Sequence, residues 1–224
     1  FKLPVCSVFA LALLSFPLTR IDAADEPVVA PPPVEIQVNG NTDGAAKTTL
    51  ENLQTAFNGE NNAQVRYRAF ATKADQEGFK AVASLFRAAA AAEGIHTKRH
   101  VRLIKKLGGT SVADIQKPDV NTTTENLQAA IKGESYERDI MYPGFLMQAK
   151  RENNRRAAKA FRFALSTEAE HTKLYTEALN ALAAWKDAPK IFYVCNECGF
   201  TTTVLPDPRC PICGNSKKNF IQIS

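Results

Sequence analysis

The chain has 224 residues, 45% of them hydrophobic and 23% charged, with a formal net charge of +5. This is the composition of an ordinary globular protein, with length enough for one sizeable core and a small appendage. The positive excess is modest and spread over Lys105, Lys106, Arg151, Arg155, Arg156, Lys217 and Lys218, without a long basic run interleaved with aromatics. That pattern reads as solvated faces and argues against a nucleic-acid partner.

The amino end runs Lys2, an apolar stretch from Leu3 to Phe16, then Arg20-Ile21-Asp22-Ala23-Ala24. Residues 1–23 are expected to form a cleaved secretory signal, with small residues suited to a signal peptidase after Ala23. The stretch is short and broken by Pro4 and Pro17, which weighs against a membrane span; an uncleaved anchor is the competing reading and the one route to a membrane. The expected location is the periplasm, or the cytoplasm if the segment is not functional. Residues 24–47, with Pro31-Pro32-Pro33, read as an extended tether.

From Thr48 the text turns helical, rich in Ala, Leu, Phe, Glu, Lys and Arg with apolar residues three and four apart. The spacing predicts four long helices between residues 48 and 188. The first spans about 48–75 and the second 78–107, stopped at Gly108-Gly109. Thr122-Thr123-Thr124-Glu125 is a capped start for the third, and the fourth runs from about 154 to 186.

The bundle contains a hidden repeat. Glu51-Asn52-Leu53-Gln54 through Gly59-Glu60 returns as Glu125-Asn126-Leu127-Gln128 through Gly133-Glu134, an offset of 74. By Tyr67 and Tyr142 the offset is 75, so one residue has entered the third helix between Glu134 and Tyr142. A single insertion that leaves a helix running is most simply a π-bulge, a feature that favours functional sites; Pro143 is a second reason for a kink. Each copy ends in Glu-x-x-His: Glu93/His96 and Glu168/His171. Residues three apart look out of one helix face, so carboxylate and imidazole can grip one ion. Two such pairs, each with an upstream Glu, match a di-iron carboxylate bundle. Glu137, one turn after Glu134, is an extra carboxylate whose counterpart is Ala63. Two like charges on one core-facing turn repel unless cations hold them.

Beyond Pro189 the chain shows Cys195-x-x-Cys198-Gly and Cys210-Pro-x-Cys213-Gly. Four thiolates in two such turns suit a tetrahedral site for zinc or a single iron, and the spacing does not choose between them. Disulfides are the competing reading.

Asn52-Leu53 through Phe57-x-Gly59-Glu60, Glu93 through His96, Gly133-Glu134-x-x-Glu137 with Met141-Tyr142-Pro143, Glu168 through His171 and the two cysteine turns occur together in this order. In that combination the chain resembles the rubrerythrins. The resemblance implies a mainly α fold: a ferritin-like four-helix bundle over residues 48–188, followed by a small rubredoxin-like tetrathiolate metal domain over 189–224. It further implies an oxo- and carboxylate-bridged di-iron site and one iron, or zinc, on Cys195, Cys198, Cys210 and Cys213. Glu93 and Glu168 would bridge the irons, Glu60 and Glu137 would hold one, and Glu134 with His171 the other. His96 would exchange with Glu137 on reduction, and Tyr67 and Tyr142 would hydrogen-bond near the ligands.

The function so implied is a peroxidase that reduces hydrogen peroxide to water, with an unidentified electron donor. The implied assembly is a head-to-tail homodimer in which one subunit's cysteine module serves the other's di-iron pair, the two sites within one chain being expected to lie far apart. Ferroxidase or oxygen reduction, and a zinc-filled structural protein, are the alternatives. His100 matches no ligand position and reads as surface or as backing for the ligands; Trp185 is expected to pack at the end of the fourth helix. Phe200 stands where the family commonly has Tyr.

Overall fold

A computed structural model describes residues 47–224; the signal and most of the tether lie outside the described residues. Among the described residues no helix is long and apolar enough to cross a membrane. The order is α1 (Thr49–Gln76), α2 (Lys80–Lys106), α3 (Thr123–Tyr136), a π-helical segment (Glu137–Met141), α4 (Tyr142–Arg151) and α5 (Arg155–Asn180). Strands β1 (Phe192–Cys195), β2 (Thr201–Thr202) and β3 (Phe220–Ile223) follow. The chain runs continuously from α3 through the π turn into α4, so there are four bundle helices. The extra residue inferred from the shift in repeat offset is absorbed where the spacing placed it, between Glu134 and Tyr142. Helix α5 stops at Asn180, short of the expected 186, and Leu182–Trp185 forms a separate 3-10 turn. That turn stacks Trp185 on Phe192 of β1, with ring centroids 6.2 Å apart, so Trp185 joins the helices to the sheet.

Both repeats begin the same way. Thr48 and Thr122 form capping boxes with Glu51 and Glu125, each hydroxyl accepting from the Glu N–H at 3.3 Å; this satisfies amide groups that a helix start leaves free. The repeats are also laced together. Glu77, after α1, accepts from Thr123 N at 2.8 Å and from its hydroxyl at 2.6 Å. Its counterpart Glu152 accepts from Thr49 N at 3.0 Å. Each helical hairpin therefore places a carboxylate at the positive end of the other's first helix. The long connection between the hairpins is held to α1 by Asn58 and Asn62, whose side-chain oxygens accept from Asp114 N and Gln116 N, both at 2.7 Å.

The core is built of alanines and aromatics. Tyr67, Phe70, Phe86 and Tyr175 form a contiguous aromatic set, while Ala88, Ala89 and Ala92 are fully buried, letting α1 and α2 approach closely. The sheet has the antiparallel order β2-β1-β3, with Val194 opposite Thr201 on one side and Ile221 on the other. Phe192 and Val194 belong to the same buried cluster as Leu85, Phe86 and Tyr175. The cysteine module thus shares the bundle's core.

The Glu77 contact makes a pH-dependent contribution. Hydrogen bonds from the Thr123 hydroxyl and N–H draw its carboxyl down to about 2 from an ordinary 4.5. The stabilisation is present above pH 4.5 and lost as pH falls through 2. Glu77→Ala is expected to cost about 1 kcal/mol near neutral pH, the size of a lost helix cap. The difference from the parent in urea denaturation at matched metal loading should shrink steadily from pH 4.5 downward; a constant gap would show that the carboxylate's charge is not what matters.

Candidate metal centre

Six side chains from all four bundle helices meet in the core: Glu60 from α1, Glu93 and His96 from α2, Glu134 from α3, and Glu168 and His171 from α5. None is more than 1% exposed. They fall into two overlapping groups, Glu60/Glu93/His96/Glu168 and Glu93/Glu134/Glu168/His171. His96 Nδ1 lies 3.4 Å from Glu60 Oε1, 3.0 Å from Glu93 Oε2 and 3.3 Å from Glu168 Oε1. His171 Nδ1 lies 3.3 Å from Glu93 Oε1, 3.4 Å from Glu134 Oε1 and 3.2 Å from Glu168 Oε2. Glu93 and Glu168 each turn one oxygen toward each histidine, and carboxylates so placed can bridge two cations.

The electrostatics demand those cations. Burial, with the Glu93 charge behind it, raises Glu60 to about 8, and the same two causes push Glu168 well above its ordinary range. Burial opposes charge on His171, but Glu134 and Glu93 outweigh it and raise the ring to about 10. Glu60 Oε2, Glu93 Oε1, Glu134 Oε2 and both Glu168 oxygens are buried without a hydrogen-bond partner. Buried carboxylate oxygens are not left bare in a stable core; two cations on O and N donors satisfy all of them, so the residues present fit a di-iron site.

Tyrosines cross the repeats to steady the outer carboxylates. Tyr67 donates to Glu134 Oε1 at 2.6 Å, and Tyr142 donates to Glu60 Oε1. His100 is fully buried rather than on the surface, with Nε2 3.4 Å from the Tyr142 hydroxyl. Burial lowers it to about 3, so it backs Tyr142 as a neutral ring. Glu137 stands outside both groups, half-buried, its Oε1 facing Gly59. His96, not Glu137, accompanies Glu60.

The four cysteines form the third group. Cys195 Sγ and Cys213 Sγ are 3.6 Å apart, as are Cys198 Sγ and Cys210 Sγ. A disulfide needs about 2.05 Å, so that alternative is set aside; four sulfurs about 2.3 Å from a central ion stand about 3.8 Å apart, which fits. Cys195, Cys198 and Cys210 are buried against Phe163 of α5.

The first cysteine turn sits directly on the bundle site of its own chain. Cys198 O lies 3.0 Å from His96 Nε2, and Thr167 Oγ1 donates to the same oxygen at 3.0 Å. A carbonyl only accepts, so His96 carries its proton on Nε2 and offers the Nδ1 lone pair to the carboxylate side. His171 is set the same way. Thr201 Oγ1 donates to Gly199 O at 2.9 Å and therefore accepts from His171 Nε2, 3.1 Å away. Gly199, at φ +83, permits this approach: a Cβ there would stand 2.6 Å from His96 Nε2. The two sites are adjacent within one chain, contrary to the expectation that they lie far apart. Gly199 and Thr201 escaped the sequence reading; the Gly after Cys198 was visible, but its neighbour 103 positions away was not.

A bundle with two overlapping Glu/His groups and an attached four-cysteine module defines a class, the ferritin-like di-iron proteins with a rubredoxin-like domain. The sequence profile of the Rubrerythrin family matches residues 51–179. Nigerythrin of Nitratidesulfovibrio vulgaris (strain Hildenborough) is 34% identical over 194 residues, covering 84% of this chain and 95% of that protein. Rubrerythrin-2 of Clostridium acetobutylicum is 35% identical, covering 77% and 95%. The solved structure of fully reduced, all-ferrous nigerythrin superposes with a TM-score of 0.74 at 33% identity, covering 82% of this chain and 91% of that one. The chain belongs to the rubrerythrin family, and membership implies an iron-binding oxidoreductase.

Two substitutions test the junction. Gly199→Ala should leave four-cysteine metal uptake intact but break the His96 contact, weakening retention of the ion at His96 about 10- to 100-fold against a chelator. Thr201→Val should weaken retention of the ion at His171 about 10- to 100-fold, the usual effect of removing a ligand's outer hydrogen-bond partner, as read by competition with a chelator. Unchanged retention would show that Thr201 does not orient the ring.

Proposed function

We propose that this protein is a non-haem di-iron peroxidase that reduces hydrogen peroxide to water, with electrons relayed through an iron on the four cysteines. The observation that carries the reading is the Cys198 O to His96 Nε2 contact of 3.0 Å, which joins the backbone of one site to a ligand of the other. Storage or simple iron oxidation needs no such relay. When bound, a ferrous pair supplies two electrons to the O–O bond and the tetrathiolate iron restores them singly.

The chain's own residues set the conditions. Hydrogen peroxide takes up two electrons and two protons and leaves as two waters. Tyr67 and Tyr142 hold Glu134 and Glu60 in place, and burial first of all keeps both phenols protonated. His96 and Glu137 are alternative donors to the position beside Glu60: neutral nitrogen suits ferrous iron, anionic oxygen ferric iron. The arrangement described above has the His96 nitrogen there.

The test is to reduce the anaerobic, iron-loaded protein, add stoichiometric peroxide, and follow the return of ferric tetrathiolate absorption. Fast recovery with peroxide and slow recovery with oxygen is expected. No recovery in protein holding both kinds of iron site would disconnect them and favour ferroxidase, while zinc in both sites by metal analysis would favour the structural reading. Glu137→Ala should slow peroxide turnover about 10- to 100-fold with the helical content unchanged; full turnover would remove Glu137 from the mechanism.

A further inference from the structure

Two adjoining cavities flank the first cysteine turn. One, of about 330 Å³, is lined by Ile95, Lys98, Arg99, Arg102, Asn196 and Glu197. The other, of about 210 Å³, shares Arg99, Arg102 and Glu197 and adds Leu103, Lys106, Arg156 and Lys159. Together they form one groove with six cations from two facing helices. Its one carboxylate, Glu197, is already held by Arg99 at 2.6 Å. Lys98, Arg102 and Lys106 follow one another at four-residue spacing and are exposed. Like charges at that spacing repel and weaken a helix, and among the described residues no acidic side chain lining the groove is left to offset them.

Asn196 and Glu197 line the groove, between two of the four cysteines. Arg99 also donates to Glu197 O. Its guanidinium and the Lys159 ammonium lie over the Phe163 ring at 5.1 and 5.3 Å, and Phe163 packs against Cys195, Cys198 and Cys210. A partner seated here stands one residue from the sulfurs. The cations on α2 span nine residues, Lys98 to Lys106, about 12 Å of helix, longer than a single small anion and matched to a protein surface. Among the described residues no aromatic side chain lines the groove to stack a base, as a single-stranded nucleic acid requires.

We infer that this groove is the docking site of an acidic electron-carrying protein that reduces the tetrathiolate site. The inference rests on the peroxidase reading, since a peroxide reductase must be re-reduced from outside. Each docking passes one electron from the partner's reduced centre to the ferric tetrathiolate iron, so two dockings match one peroxide. Opposite charge steers such encounters and leaves them short-lived and salt-sensitive.

The experiment uses the full chain with zinc in its metal sites and an oxidised acidic [2Fe–2S] ferredoxin as probe, with binding read by calorimetry at low and physiological salt. Binding should weaken with salt, and Lys98→Glu/Arg102→Glu should lower affinity at least tenfold. Lys132→Glu/Lys150→Glu, an equal charge change on α3 and α4, should have a much smaller effect. Equal loss in both double variants would reduce the effect to net charge and overturn the assignment, as would a single-stranded oligonucleotide that binds the groove more tightly than the ferredoxin. Peroxide consumption with dithionite as reductant reads the peroxidase assignment separately: in iron-loaded Lys98→Glu/Arg102→Glu it should match the parent, and its absence in the parent would overturn the peroxidase, not the groove's preference for an acidic protein.

Discussion

Four carboxylates and two imidazoles confined to a dry core are the constraint on which this protein is built. Desolvating a charge costs several kcal/mol even after relaxation; His171 and His96 meet it for Glu93 and hold its carboxyl well below the ordinary range, but burial and the Glu93 charge leave Glu60 and Glu168 raised. Without cations the group has to hold protons it would release in water: Glu60 is raised to about 8 and both ligand histidines are raised by the facing carboxylates. Two cations remove the conflict at once. The Ala-rich faces of α1 and α2, the cross-repeat tyrosines and the buried backing ring of His100 then follow as means of holding six donors at one spacing.

Duplication explains the near-symmetry of this arrangement, and three departures from it explain why its halves differ. Tyr67 reaches Glu134 and Tyr142 reaches Glu60, a reciprocal pairing carried across the repeats. The inserted residue, however, puts a π turn after Glu134, beginning at Glu137, with no equivalent after Glu60, where Ala63 stands. Above the histidines the asymmetry is greater: His96 donates straight to the Cys198 carbonyl, while His171 is reached through the Thr201 hydroxyl. One half therefore has a direct link to the cysteine module, and the other is reached only through a hydroxyl. A pair of ions held by these halves is inequivalent from the outset.

What could be read from the sequence were the features with a local period or a fixed spacing. The start of the third helix came from the Thr122-Thr123-Thr124-Glu125 cap, the first from apolar spacing beginning at Thr48, the π turn from a one-residue change in offset, and the three clusters of chemistry-bearing residues from Glu-x-x-His and Cys-x-x-Cys spacing. Contacts between distant segments left no such trace. His100 lies on the same helix as His96, and only the position of Tyr142 decides that it is buried. Helix propensity continues through Leu182–Trp185, but stacking on Phe192 ends α5 at Asn180. Lys106 and Arg156 looked like unrelated solvated charges until α2 and α5 faced each other across one groove.

The cysteine module is also a lid. His96 and His171 lie well inside α2 and α5, on the face over which the cysteine module packs, and they are at most 1% exposed because residues 198–201 cover them. The covering is done by backbone carbonyls and one hydroxyl, which fix the proton on each outer ring nitrogen and leave the inner nitrogen free for a metal. The groups that exclude water are therefore the same groups that join the two sites, and the absence of a side chain at Gly199 brings them within hydrogen-bond reach. Opening this contact to admit solvent would both wet the ligands and release the tautomers, so water exclusion and the orientation of both imidazoles depend on a single interface a few residues wide.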